Sequence, residues 1–167
     1  MYSSLIEHFK ETVPISESDE KLINESFKKK FVKKNEFVLS RGDISNHMRF
    51  IVKGCMKVYY LDEEGNERIY QFGIEGWWVN DLYSYLTQTP SEYFIKSIEN
   101  TDLLTIHRDS LEALFDKSPM IERFYRIKFQ NAYVALQNRT IRNMSESAEQ
   151  RYLRFQKSYR EMEQRIP

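Results

Sequence analysis

The chain has 167 residues, 41% hydrophobic and 30% charged, with 25 Lys+Arg against 25 Asp+Glu and a net charge of zero. That suits one domain with an appendage and a genuine core, and it excludes the basic footprint of a chain built only to hold nucleic acid. A single cysteine, Cys55, excludes an internal disulfide and fits a reducing cytoplasm, while no apolar run approaches the ~18 residues of a membrane span.

The N-terminus, MYSSLIEHFKE, lacks the basic-then-apolar layout of a secretory signal. Leu5, Ile6 and Phe9 lie at helical spacing, which predicts a short helix over Ser4–Glu11 that ends before Pro14. Ser16 and Ser18 are candidate caps of a second helix with the apolar face Leu22, Ile23 and Phe27. Lys28–Lys30 is expected to close it as a solvated helix end.

From Phe31 the period changes to that of strands. Phe31–Val32 and Phe37–Leu39 flank a turn-like Lys33–Glu36, and Arg41-Gly42-Asp43 reads as a turn. Phe50–Val52, a bend at Gly54, and Met56–Leu61 follow, and Asp62-Glu63-Glu64-Gly65-Asn66 is a hairpin loop leading into Glu67–Phe72. Phe72–Ile95 then interrupts the sheet-like run with a glycine, two tryptophans, an Asn-Asp pair and a short helical segment. Insertions of this kind on a rigid frame are where ligand sites are built. Phe94–Ile98 and Leu103–Ile106 complete a set of short strands that indicates an antiparallel sandwich, barrel or jelly roll.

From Arg108 the period is helical. Asp109 with Glu112 resembles a capping box opening Ser110–Lys117, and Pro119 suits the first turn of a long helix running to about Asn143. That helix carries two apolar faces. Ile121, Tyr125, Phe129, Ala132 and Leu136 form a stripe, and Met120, Phe124, Ile127, Asn131, Val134, Asn138 and Ile141 form a heptad seam. The expectation is that the stripe packs on the β-domain while the seam meets a second copy, with Asn131 and Asn138 setting register. Ser147 with Gln150 resembles another capping box. Tyr152, Phe155, Tyr159, Met162 and Ile166 mark a last amphipathic helix.

No reaction centre is legible. His8, His47 and His107 are far apart and form no His-x-His pair, which disfavours the metal site of a cupin-type barrel enzyme. There is no P-loop and no nucleophile elbow. No catalytic residue, cofactor or metal is expected.

The order of parts, with RGD…FIVKGCMKVYY…EEGNE…FGIEGWW, resembles the cyclic-nucleotide-binding-like domain of the Crp/Fnr transcriptional regulators over almost the whole chain. The resemblance implies an α+β chain. Its core would be a double-stranded β-helix (jelly roll) of about eight strands, with N-terminal helices and a long C-terminal dimerisation helix. It implies a sensor domain over residues 1–143, with the dimer helix at about 119–143, and a homodimer. Residues 144–167 would begin a winged helix-turn-helix whose recognition helix lies outside this chain, so DNA would be met only through that absent part.

In nucleotide-binding members the insertion is a phosphate-binding cassette with a Gly-Glu pair, a short helix and an Arg-Ser or Arg-Thr clamp. The Gly-Glu pair falls here on Asn80-Asp81 and the clamp on Ser91-Glu92. A buried phosphate needs N–H donors and a guanidinium. A serine in the arginine's place, with a glutamate beside it, is therefore expected to disfavour cAMP and cGMP. The pocket is expected either to be filled by its own side chains or to take an uncharged or aromatic effector. Its candidate lining is Trp77, Trp78, Asn80, Asp81, Tyr83, Tyr85, Ser91, Glu92 and Tyr93. Two other readings stay open: a stand-alone β-barrel interaction or dimerisation domain, and a cupin-like enzyme.

Overall fold

The structure, a computed structural model, describes residues 2–145 together with 147, 149, 150, 153 and 165. The chain divides into two compact units, Met1–Ile121 and Glu122–Pro167.

The first unit begins with helices α1 (Tyr2–Lys10) and α2 (Glu17–Ser26). Ser16 is the N-cap of α2 in a reciprocal capping box: its hydroxyl accepts from the Asp19 N–H, and the Asp19 carboxylate accepts from the Ser16 N–H. Leu5, Ile6, Phe9, Ile23 and Phe27 are buried, as the helical spacing requires. Lys28–Lys30 is not a helix end. It opens strand β1 (Lys28–Val32), whose partner is β7, with Lys28 opposite Thr105 and Val32 opposite Thr101. The strand lies at the edge of its sheet, where lysines guard against pairing with foreign strands.

Seven strands appear among the described residues. β1, β7 (Thr101–His107) and β3 (His47–Lys53) form one antiparallel sheet in that order. β2 (Phe37–Leu39), β6 (Phe94–Ser97), β4 (Met56–Leu61) and β5 (Glu67–Gly73) form the other. The two sheets are those of the expected jelly roll. The hairpin β4–β5 is closed at Leu61↔Glu67 through the Asp62–Asn66 loop. Between the sheets lies a core that includes Val32, Leu39, Ile51, Met56, Val58, Ile95 and Leu103, all nearly or fully buried.

Gly54 bends the chain between β3 and β4 at φ +110, with the Thr101 backbone so near that a Cβ there would meet it at 2.7 Å. Helix α4 (Arg108–Phe115) is capped by His107, whose Nδ1 accepts from the Asp109 N–H at 3.2 Å. The expected cap at Asp109 is thus displaced by two residues: β7 runs directly into the helix, so its last residue supplies the acceptor. Ser118 donates to the Asp19 carboxylate and ties the end of this segment to the start of α2.

The long helix α5 (Pro119–Ser145) runs as its uninterrupted sequence demands. Within the second unit Phe124, Tyr125 and Phe129 form a run of ring contacts at 5.4 and 6.0 Å. Along the seam Phe124 is buried, Met120 and Ile127 are half-buried, and Asn131, Val134, Asn138 and Ile141 are exposed. The Ser147–Gln150 capping box forms, with the Ser147 N–H on Gln150 Oε1 at 2.9 Å and the Gln150 N–H on Ser147 Oγ at 3.2 Å. The amphipathic helix expected from Tyr152 to Ile166 lies outside the described residues.

Candidate functional site

After β5 the insertion returns alongside β3. A turn at Gly76 (φ 80) brings Trp77–Val79 antiparallel to the strand. Ile51 N donates to Trp77 O and Val79 N to Arg49 O, at 2.9 and 3.0 Å. Asn80 extends the strip by accepting from the Arg49 N–H at 2.8 Å. This pairing commits Trp77 O, Val79 N and the Asn80 side chain to scaffolding. Trp78 packs against Phe50 (5.3 Å) and Phe27 (6.3 Å), while Trp77 is partly exposed.

Asp81 comes next and ends the strip as the N-cap of the short helix α3 (Leu82–Thr87). Its side chain is only 6% exposed. One carboxylate oxygen accepts from the Ser84 N–H at 3.1 Å and the other from the Ser91 hydroxyl at 2.6 Å. Ser84 Oγ in turn accepts from Ser45 N and donates to Thr89 O. Ser91 is fixed by its backbone, its N–H on Asp43 O and its C=O receiving Gly42 N, both at 2.8 Å. Ser45, Asp81, Ser84 and Ser91 thus form a buried, mutually satisfied polar cluster, which is the condition for such a cluster to persist in a core.

Of the other predicted lining residues, Glu92 does not face this cluster. It is exposed and paired with Arg41 at 3.0 Å, so the expected repulsion from Glu92 is absent and the buried carboxylate at the helix start is that of Asp81. Tyr83 is exposed. Tyr85 is buried, and burial, reinforced by Glu112, pushes its hydroxyl up to about 12. Tyr93, just before β6, joins Tyr70 on β5 and Tyr60 on β4 at 5.1 and 6.1 Å. The fold therefore brings Asp81 and Ser91 together and ties Asn80 to β3, whereas it sends Trp78, Tyr85 and Tyr93 into separate packing environments.

A pocket of about 400 Å³ opens elsewhere, between β1, β3 and β7 on one side and β2 with its following loop on the other. Its polar lining is Lys30, His47, Arg49 and Thr105, with Asp43 as the one acid, and Val38, Leu39 and Ile44 form an apolar wall. None of the predicted lining residues contributes to it. Arg49 is one of three basic residues, with Arg68 and Lys96, that the sequence offers as a substitute for the clamp arginine from elsewhere, none of them at the clamp position. It shares a face of β3 with core residue Ile51, two positions away, and that alternation was the available signal. It is 5% exposed, and its guanidinium donates only to neutral groups: His47 O at 3.0 Å, and Ser45 Oγ and Val38 O at 3.4 Å. Burial lowers its pKa to about 10, opposed by the field of Asp81, so it remains a cation at neutral pH. His47 is held below the usual imidazole range by burial, then by Arg49, His107 and Lys30. Among the described residues no three His, Cys, Asp or Glu side chains gather as a metal site, and no helix is long and apolar enough to cross a membrane.

Residues 29–118 match the family described as the cyclic nucleotide-binding domain. No curated protein matches the chain. Among solved structures, the chain is similar to a cyclic nucleotide-binding domain from Methylobacillus flagellatus, with 14% identity and a TM-score of 0.71, over 86% of this chain and 82% of that one. It is similar to the c-di-GMP responsive global regulator CLP of Xanthomonas campestris, with 13% identity and a TM-score of 0.66, over 83% and 70%. It is also similar to the catabolite activator protein of Thermus thermophilus, with 16% identity and a TM-score of 0.63, over 75% of this chain and 61% of that one. The chain thus spans less than two thirds of the Thermus protein's length.

Proposed function

We propose that this chain, which belongs to the cyclic nucleotide-binding domain family, is the sensor and dimerisation part of a Crp/Fnr-type transcription regulator whose cassette takes neither cAMP nor cGMP. Family membership and the regulators among its structural neighbours support the sensor role. The observation that carries the negative half is the state of the cassette. Asp81 places a buried carboxylate at the start of α3, and Ser91, at the clamp position, donates to that carboxylate. A cyclic phosphate brought here would meet a desolvated negative charge and no guanidinium at the clamp position, and a buried like charge costs far more than a solvated one.

The dimeric half rests on α5. From Asn131 onward its seam residues are exposed, including Val134 and Ile141, and Tyr133 and Leu136 beside them are exposed too. Large apolar side chains repeating along an uncovered helix suit a two-helix contact with a second copy. Any effector would act by changing how the two copies sit.

The test is calorimetric titration of the protein with cAMP and with cGMP. No heat of binding is expected from either at micromolar concentration, and micromolar affinity for one of them refutes the reading of the cassette.

A further inference from the structure

We infer that the pocket over Arg49 is a binding site for a small organic carboxylate with a short apolar body. This deepens the sensor reading, on which the regulatory meaning of such a ligand rests, but the binding itself does not depend on it.

Arg49 carries the inference. A guanidinium has five N–H donors, and the three bonds made here go to two carbonyls and one hydroxyl, two of them at 3.4 Å. Two donors are left over. A buried cation is ordinarily held by a carboxylate in direct contact, because an unpaired one forfeits its hydration without return. The carboxylate that Arg49 feels is that of Asp81, and both oxygens of that group are already engaged by Ser84 and Ser91. The residue thus sits in the lining of a cavity with no carboxylate in hydrogen-bond contact and with donors to spare.

The rest of the lining sets the class of anion. Among the lining residues Lys30 and Arg49, opposed by Asp43, leave an excess of one positive charge, to which His47 adds only when protonated, while Asp81 acts on Arg49 from outside the lining. That balance suits a monoanion. Two spare N–H groups match the two oxygens of a carboxylate, the pairing that guanidinium geometry favours. A phosphate dianion asks for more donors than remain and is repelled by Asp43. Val38, Leu39 and Ile44 supply one apolar wall, and Thr105 on β7 adds a hydroxyl. A chain of a few carbons ending in a carboxylate meets each of these features. A cyclic nucleotide does not.

The experiment is titration of the full chain with butanoate, with butanamide as the uncharged isostere and inorganic phosphate as the competing anion. It is followed by the ring-proton NMR signal of His47, assigned through His47→Gln, because the groups that face this ring from the surrounding strands are Arg49, Lys30 and His107, with Asp43 on the pocket's far side. Butanoate is expected to move that signal saturably and to raise the titration midpoint of His47, since burial lowers it first and a bound anion offsets the further lowering by Arg49 and Lys30. Butanamide is expected to leave it in place, and phosphate to bind at least about tenfold more weakly. Arg49→Gln should weaken butanoate by about tenfold and the exposed Lys30→Gln, which leaves the core untouched, by about threefold. No movement with butanoate in the folded protein, equal movement with butanamide, tighter phosphate, or undiminished binding in Lys30→Gln overturns the assignment. None of these outcomes bears on dimer formation or on cyclic nucleotides, so the sensor reading stands or falls separately.

Discussion

Asp81 is the residue on which the reading of the cassette depends, and its removal has a calculable cost. Asp81→Ala deletes the N-cap of α3, worth about 1 kcal/mol. It also deletes the charged acceptor of the short bond from the Ser91 hydroxyl, leaving that group only the Tyr93 carbonyl at 3.3 Å to donate to; a bond to a charged acceptor is worth roughly 1.5–3 kcal/mol. Removing a buried charge recovers some desolvation, but Arg49 then loses the carboxylate that stabilises its charge, and these two effects oppose each other. The expected loss is about 2.5–4 kcal/mol, a fall of roughly 5–15 °C in Tm for a domain of this size. Asp81→Asn has a single oxygen, which can keep the cap, and turns an NH2 toward the Ser91 hydroxyl, which must then accept instead of donate; with the charge also lost, it is expected to cost about half as much. Urea unfolding followed by tryptophan fluorescence measures both, since Trp77 and Trp78 sit on the strip that leads into Asp81. An Ala variant within about 0.5 kcal/mol of the parent, or one no worse than Asn, shows that the carboxylate does not organise this cassette, and the argument against a bound phosphate fails with it.

Gly54→Ala is expected to cost about 3 kcal/mol or more, because a Cβ there would lie 2.4 Å from Thr101 Oγ1 at a φ of +110. Gly65→Ala, with a φ of +84 and nothing within 4 Å, should cost only about 1 kcal/mol in the same unfolding assay. Val134→Glu with Ile141→Glu is expected to convert a dimer to a folded monomer in sedimentation velocity, and a monomeric parent at high micromolar concentration would remove the seam from the account. For Asp19, burial opposes ionisation, but the hydrogen bonds from Ser118 and Ser16 outweigh it, so its carboxyl titrates below the usual value of 3.8. A lowered folded-state pKa contributes stability above the unfolded value that is lost as the pH falls through the folded one. The acid limb below pH ~3.8 should therefore flatten in Asp19→Asn, and an unchanged limb would count against that link.

Much of this protein was determined by sequence alone, namely the features set by neighbours a few residues apart. Helical spacing placed α1, α2 and α5, Ser16 was legible as a candidate cap beside Ser18, Ser147 as a serine followed three residues later by Gln150, and Asp62–Asn66 announced its hairpin. The motif order announced the family, and with it the jelly roll. The tertiary structure decided what depends on partners far along the chain. Lys28–Lys30 reads as a helix end because nothing local reveals β7, some seventy residues on, as its hydrogen-bond partner. Glu92 reads as a charge beside the cassette until Arg41 is seen to hold it in solvent. Trp78, Tyr85 and Tyr93 lie within sixteen positions in the sequence, yet a strip paired to β3, a helix start and a separate sheet direct them to different places. Arg49 is the sharpest case: alternation puts it on the core face of its strand, but whether a buried cation there finds a carboxylate or a cavity depends on which side chains the folded sheets bring opposite it.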